Sequence, residues 1–257
     1  MTAPVYSFAI QKPIYMRPLL RSLSVLLLVA ASLLWADMQL VIMPKEIGVS
    51  SRKHRPFTAL AKTTLTRVFP SGTQRTVTVE DRVARDGEGR VLREQHLPWT
   101  EDPADPVYYV NILDPKKMES IHLDPQKHLA IVRRVDQRYA WDYIPYDGTQ
   151  YRLTAKPGVT VHTELLGDRQ IDGLKCWGQR TTYLYPPGTF KGNPQPVTRI
   201  WEVWYAKDLG SDVRIVAHDP DPKGGDQQTD LIGIVYGEPV PSIFAPPAEY
   251  SIQDARQ

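Results

Sequence analysis

From Phe57 onward the chain keeps a two-residue rhythm. Gln74 to Arg85 puts Val77, Val79 and Val83 on one side and Thr78, Glu80 and Arg82 on the other. Successive side chains of an extended strand point to opposite faces, so this alternation marks a half-buried β-strand. Turn residues interrupt it at short intervals: Pro70-Ser71-Gly72, Asp86-Gly87 with Gly89, Asp114-Pro115, Asp124-Pro125, Asp172-Gly173, a Pro/Gly-rich stretch from Pro186 to Pro196, Asp208 to Ser211, and Asp219 to Asp226. The two Leu-Asp-Pro steps are one turn device used twice, with proline fixing φ and aspartate bonding the backbone ahead of it. No segment after Phe57 carries helical periodicity. The expected fold is all-β: a curved antiparallel meander sheet or incomplete β-barrel of about eleven strands, with few or no helices.

The N-terminus has a different character. Ser22 to Ala36 is uncharged and apolar, follows Arg17 and Arg21, and ends on a small residue before Asp37. Basic residues, a short apolar run and a small residue make a secretory signal pattern. As a helix the run reaches about 22 Å, short of a hydrocarbon core of about 30 Å. Apolar residues resume after Asp37, so an uncleaved anchor that tolerates this carboxylate is the alternative. Met16 is the expected start of synthesis, and Asp37 the expected mature N-terminus. The chain then divides into residues 1–36 as signal or anchor, 37–56 as linker, 57–250 as the β domain and 251–257 as a tail. The localisation that follows is periplasmic or secreted, with inner-membrane anchoring if the apolar segment is retained.

With 31 basic and 29 acidic residues, the charge balance gives no electrostatic case for nucleic acid or anionic lipid. Arg52, Lys53, His54 and Arg55 form a short basic run that reads as a solvated lead-in. The single cysteine, Cys176, excludes an intramolecular disulfide and lies inside a predicted strand, where it reads as a buried structural thiol. The six histidines have no metal-ligand spacing. A hairpin pairing Leu123 with His128 would place His122 and His128 on opposite faces. Asp219, Asp221 and Asp226 with Gly224 and Gly225 suggest calcium, but Pro220 and Pro222 stiffen the path and Lys223 adds positive charge, which fits an ordinary turn better. No nucleophile elbow and no phosphate loop occur. The expectation is a protein without catalytic residues, cofactor or metal.

The informative feature is aromatic. Alternation puts Trp201, Val203 and Tyr205 on one face, with Ile200 and Trp204 on the other. It also puts Trp177, Tyr183 and Tyr185 together, opposite Leu174, Cys176 and Leu184. A half-exposed strand has one polar face, and these two strands do not. Either the proline-rich tail covers one side or a ligand does. The candidate ligand-binding residues are Trp177, Tyr183 and Trp201 on one face, Trp204 on the other, and Phe244 of the tail as a plug.

An apolar export segment, a serial β-meander, Trp204-Tyr205-Ala206-Lys207-Asp208-Leu209, and Gly237-Glu238-Pro239 leading to Ser242-Ile243-Phe244-Ala245-Pro246-Pro247 together resemble the periplasmic lipoprotein-localisation-factor fold, LolA/LolB-like. Ala84-Arg85-Asp86-Gly87-Glu88-Gly89-Arg90 with Arg93-Glu94, and Ile171-Asp172-Gly173, are similar to stretches in secreted proteins of soil bacteria that share this shape. The resemblance covers roughly Phe57 to Tyr250. It implies an incomplete β-barrel closed by helices that holds acyl chains or peptides, although no amphipathic helix is visible here. The function expected is a non-enzymatic envelope protein that binds an apolar ligand (a lipid or lipoprotein acyl chain) or a protein segment. The alternative is a membrane-anchored envelope interaction or stress-sensor protein without a ligand cavity, touching the membrane through its N-terminal segment. Nucleic acid is not an expected partner.

Overall fold

The computed structural model describes residues 48–51, 53–68, 72–97, 107–135, 158–190, 192–220 and 225–256. The export segment, Met16, the start of the linker and the aromatic stretch 140–156 lie outside the described residues.

The alternating segments form β1 (Phe57–Val68), β2 (Gln74–Arg85), β3 (Val91–Leu97), β4 (Val107–Asp114), β5 (Glu119–Asp124), β6 (Leu129–Arg134), β7 (Thr160–Ile171), β8 (Leu174–Tyr185), β9 (Val197–Ala206), β10 (Ser211–Asp219) and β11 (Gly225–Tyr236). A twelfth strand, β12 (Ser251–Asp254), uses residues that the sequence assigned to the tail. It pairs with β6 in parallel, and Arg256 anchors its end through Glu119, 2.7 Å away, and through Asp254. All twelve strands join one open sheet in the order β12-β6-β5-β4-β3-β2-β1-β11-β10-β9-β8-β7. The fold is thus almost entirely β. The tail before β12 is not simply extended, because Pro241–Phe244 makes a turn of 3-10 helix. Among the described residues no helix is long and apolar enough to cross a membrane.

The turns form for the reasons the sequence supplies. Asp114 Oδ1 accepts the Lys116 and Lys117 amides, and Asp124 Oδ1 accepts the Lys127 amide. Each turn closes on a residue with positive φ, Met118 at 57° and His128 at 47°. His128 is therefore a turn residue, and Leu123 pairs with Ala130 rather than with His128, one correction to the sequence reading. His122 bonds Asn111 at 2.8 Å, while His128 lies beside the Tyr250 ring.

The sheet buries opposite faces on its two sides. Over β1, β2 and β8–β11 the buried side carries Phe57, Ala59, Ala61, Val83, Val203, Ile215 and Leu231. The other side carries the ion pairs Lys62–Glu80, Arg180–Glu164, Arg180–Glu202 and Arg214–Asp230, and toward one end of β8 and β9 the buried Cys176, Trp204 and Ala206. Over β3–β6 the face that was outer becomes the buried one. Ala84, Leu92, Ile112, Ile121, Leu123, Ala130 and Val132 pack there beneath Phe244, with Ile243 and Tyr250 at the margin. The switch falls at the β2–β3 hairpin, where β2 pairs β1 along its whole length but meets β3 through only Val83–Arg93, Ala84–Leu92 and Arg85–Val91. Beyond that point two carboxylates end the ladder. Glu94 Oε2 accepts the Arg82 amide at 3.1 Å, and Asp81 Oδ1 accepts the His96 amide at 2.9 Å.

Arg85 ties the hairpin to the entering chain. Its side chain is fully buried and donates to Ser50 O at 2.9 Å, Leu209 O at 2.6 Å, Gly210 O at 3.4 Å and, twice, to Arg55 O at 2.9 and 2.7 Å. Its guanidinium carbon stands 5.0 Å from the Phe57 ring centroid. Gly48 to Ser51, within the predicted linker, are consequently built in, while Lys53 to Arg55 are exposed. Val49, Ser50 and Ser51 are buried, Val49 bridges Ser211, and Asp212 Oδ2 accepts the Gly48 amide at 3.0 Å. A buried carbonyl that loses its donor costs about 1–3 kcal/mol. Arg85→Met should therefore lower the unfolding free energy in urea by about 3 kcal/mol or more, with Arg85→Lys in between, because one ammonium cannot span the same carbonyls.

Candidate functional site

Cross-strand register decides which of the nominated residues meet. Trp177 pairs with Tyr205, Thr181 with Trp201 and Tyr183 with Arg199, so Trp177, Tyr183 and Trp201 share one face as the alternation predicted. It is the inner face, continuous through Ile215 and Thr229 with Thr63 of β1. All three side chains are half-buried, while Val203 and Tyr205 between them are buried. Burial raises the Tyr183 phenol above its ordinary pKa, with the neighbouring Tyr185 adding to the shift. The Tyr183 and Tyr185 rings stack at 6.4 Å, and Phe190 closes on Tyr185 at 4.9 Å.

This face is not purely apolar. Between Trp177 and Tyr183, β8 places Gln179 and Thr181, both buried. Across the sheet lie Gln227, Thr229 and Thr63, also buried, with Gln227 Nε2 donating to Thr229 Oγ1 at 2.8 Å and Thr229 meeting Thr63 at 3.0 Å. Arg199 and Asp219 pair at 2.7 Å near one end of the face. No local sequence signal marks this band, because Thr and Gln side chains usually face solvent. The register across β8–β11 and β1 is what collects them.

The other two nominees stand elsewhere. Trp204 is on the outer face, buried, opposite Gly178. Its indole nitrogen donates to Glu202 Oε1 at 2.6 Å, and the Arg169 guanidinium carbon lies 5.6 Å from its ring centroid. A Cβ on Gly178 would come within 2.7 Å of that ring. Trp204 is thus a packing residue laid over a glycine. Phe244 belongs to the cluster under β3–β6, with the Arg90 guanidinium carbon 4.8 Å from its ring centroid, and does not meet the aromatic strands.

Other chemistry is sparse. Burial pushes the Cys176 thiol up, away from the reactive thiolate. Asp81 is raised by burial and sits 2.5 Å from His96 Nδ1. Asp219 and Asp226 of the suggested calcium loop are engaged by Arg199 and His218, and Asp221 lies outside the described residues. Among the described residues no three His, Cys, Asp or Glu side chains could jointly hold a metal ion. A cavity of about 660 Å³ lies at the β4–β5 turn and the end of β12, lined by Lys117, Glu119, Arg134, Asp254 and Arg256, in the other half of the strand order from the aromatic face.

No family model and no curated protein matches the sequence. Solved structures do show similarity. The MucA/MucB complex of Pseudomonas aeruginosa contains a chain with 11% identity and a TM-score of 0.39, over 79% of this chain and 59% of that one. This chain thus spans about three-fifths of that protein's length. LprF from Mycobacterium bovis gives 14% identity and 0.32, over 79% of this chain and 91% of that one. A LolA superfamily protein from Nitrosomonas europaea gives 12% and 0.33, over 74% and 90%.

Forcing a side chain against a packed ring costs about 1–3 kcal/mol. Gly178→Ala should lose about that much stability in urea and alter the near-ultraviolet circular dichroism of Trp204, while the inner-face tryptophans keep their environment.

Proposed function

We propose that this protein is a non-catalytic binding protein of the cell envelope that holds an acyl chain against the inner face of β8 and β9. The observation that carries the reading is the shared, half-buried placement of Trp177, Tyr183 and Trp201 on one face, beside buried Val203 and Tyr205. Aromatic rings there offer large apolar area, and apolar burial is worth about 25 cal/mol per Å². The buried amide and hydroxyl groups of Gln179 and Thr181 favour a chain that carries an ester or amide, as a lipid or an acylated protein does. Trp204 and Phe244 have structural roles in this reading. The apolar run Ser22 to Ala36 supports an envelope location.

Titration of the full-length protein with a fluorescent fatty acid tests the proposal. Binding should saturate, and Trp201→Ala should weaken it about tenfold while the fold survives, since about 55 Å² of lost apolar contact corresponds to about 1.4 kcal/mol. Absence of saturable binding by the native protein would refute the reading and leave these aromatics as core.

A further inference from the structure

Exposed apolar side chains crowd one end of the sheet. Val235 is 63% exposed, Tyr236 64% and Val240 67%. Tyr236 ends β11 opposite Phe57, Val235 pairs with Thr58, and exposed Leu60 lies two residues further along β1. The entering chain borders this segment. The Gly237 amide donates to Pro56 O at 3.2 Å, and Glu238 Oε2 accepts the Gly87 amide at 3.1 Å. The His54 amide donates to Gly87 O at 2.9 Å, which sets the exposed residues Lys53, His54 and Arg55 beside it. Asp208 and Glu238 are exposed at the same end, so its charge is mixed.

The chain enters the fold at this end too. The Gly48 amide donates to Asp212 Oδ2 at 3.0 Å, and its carbonyl accepts the Asp212 amide at 2.8 Å. Ser211 opens β10, which runs antiparallel to β11, so Gly48 and Tyr236 share an end. Upstream, Ser22 to Met43 is 22 residues long with one charge, Asp37. As a helix it reaches about 33 Å, enough for a hydrocarbon core of about 30 Å. Asp37 stands six residues before Met43, about 9 Å from that end, where a carboxylate is less costly than at the bilayer centre. Arg17 and Arg21 precede the run and hold its start in the cytoplasm. Only Pro44 to Ile47 remain before Gly48, so Gly48 stands at most about 18 Å from Met43.

We propose that residues 22–43 are retained as a membrane anchor, and that the end of the sheet bearing Val235, Tyr236 and Val240 rests on the bilayer surface. Two apolar features then share one cover. Cleavage after Ala36 would leave Met38, Leu40, Val41, Ile42 and Met43 in water, leading into an end that already exposes three large apolar side chains. Contiguous apolar surface of that kind marks a contact site. A tyrosine, with an apolar body and a polar tip, suits the membrane–water interface. Because Lys53 and Arg55 stand near Asp208 and Glu238, the contact needs no anionic lipid, in keeping with the overall charge balance. The inference does not rest on acyl-chain binding, since Tyr183 lies toward the opposite end, where β8 finishes.

The test uses the full-length protein in phosphatidylcholine vesicles, with Val240→Cys carrying the fluorophore NBD. Cys176 is buried and escapes labelling. The emission should shift to the blue and lose about half its intensity when doxyl-labelled lipid is included, as for a group about 5–10 Å into the headgroup boundary. The same label at Leu184, exposed but at the far end of β8, should show neither change. Adding Val235→Asp and Tyr236→Asp should abolish quenching at Val240 while the protein stays in the vesicles. Mass spectrometry of the protein from the envelope fraction should find Leu26-Leu27-Leu28 still present. A mature chain beginning at Asp37, equal quenching at Leu184, or no lipid quenching at Val240 would overturn the proposal. So would self-quenching between Val240 labels in place of quenching by lipid, which would make the occupant a second copy. Fatty-acid titration of the same preparation reads the inner face separately.

Discussion

The architecture depends on where one guanidinium is held. Arg85 is the last residue of β2 and stands at the hairpin where the sheet changes its buried side. Its donors reach the entering chain at Ser50 and Arg55 and the β9–β10 turn at Leu209 and Gly210, while Phe57 packs against its plane. Planarity and a fixed fork of donors let one arginine fasten several carbonyls at once. Three segments far apart in sequence are joined there, and the long strands and the short ones share this junction. A charge so fully desolvated is costly unless each donor is engaged, which makes the junction cooperative rather than additive.

The switch of buried face follows from the brevity of the β2–β3 ladder. With three residue pairs to hold them, the two halves are free to bury different sides, and each does so with its own apolar set. The C-terminal segment completes the second half by lowering Phe244 onto it and adding β12 as a parallel strand. Parallel pairing needs a long crossover, and here most of the chain after β6 lies between the two partners.

The strands were legible because alternation and turn residues are local signals. About eleven strands were expected and twelve occur, with Gln74–Arg85 at the bounds its alternation marks. The parity of the aromatic residues was legible for the same reason, so the common face of Trp177, Tyr183 and Trp201 was in the pattern. What alternation does not encode is which face is covered, and by what. Trp204 lies over Gly178 because a residue without a side chain faces it across the ladder, a fact of register between β8 and β9. Phe244 went to the other half because the sheet reverses its buried side, which no local stretch records. No local pattern marks Gln179, Thr181 and Gln227 as buried, because hydroxyl and amide side chains usually face solvent. β12 was missed since four exposed residues carry no alternating burial to detect.

The pairing of β1 with β11 has a temporal side. β11 is nearly the last strand in sequence, yet it stands at the middle of the sheet. Thr63 and Thr229 touch at 3.0 Å across 166 residues of chain. A chain that emerges from its N-terminus first can assemble β1 to β6 as a run of neighbours, but the first strand waits with one edge bare until nearly everything else has arrived. Contacts of such sequence separation are slow to close. Truncation after Asp219 would therefore take away the centre of the sheet, not its margin, and leave two partial sheets that meet through the Arg85 bonds to Leu209 and Gly210 and the Val49–Ser211 bridge.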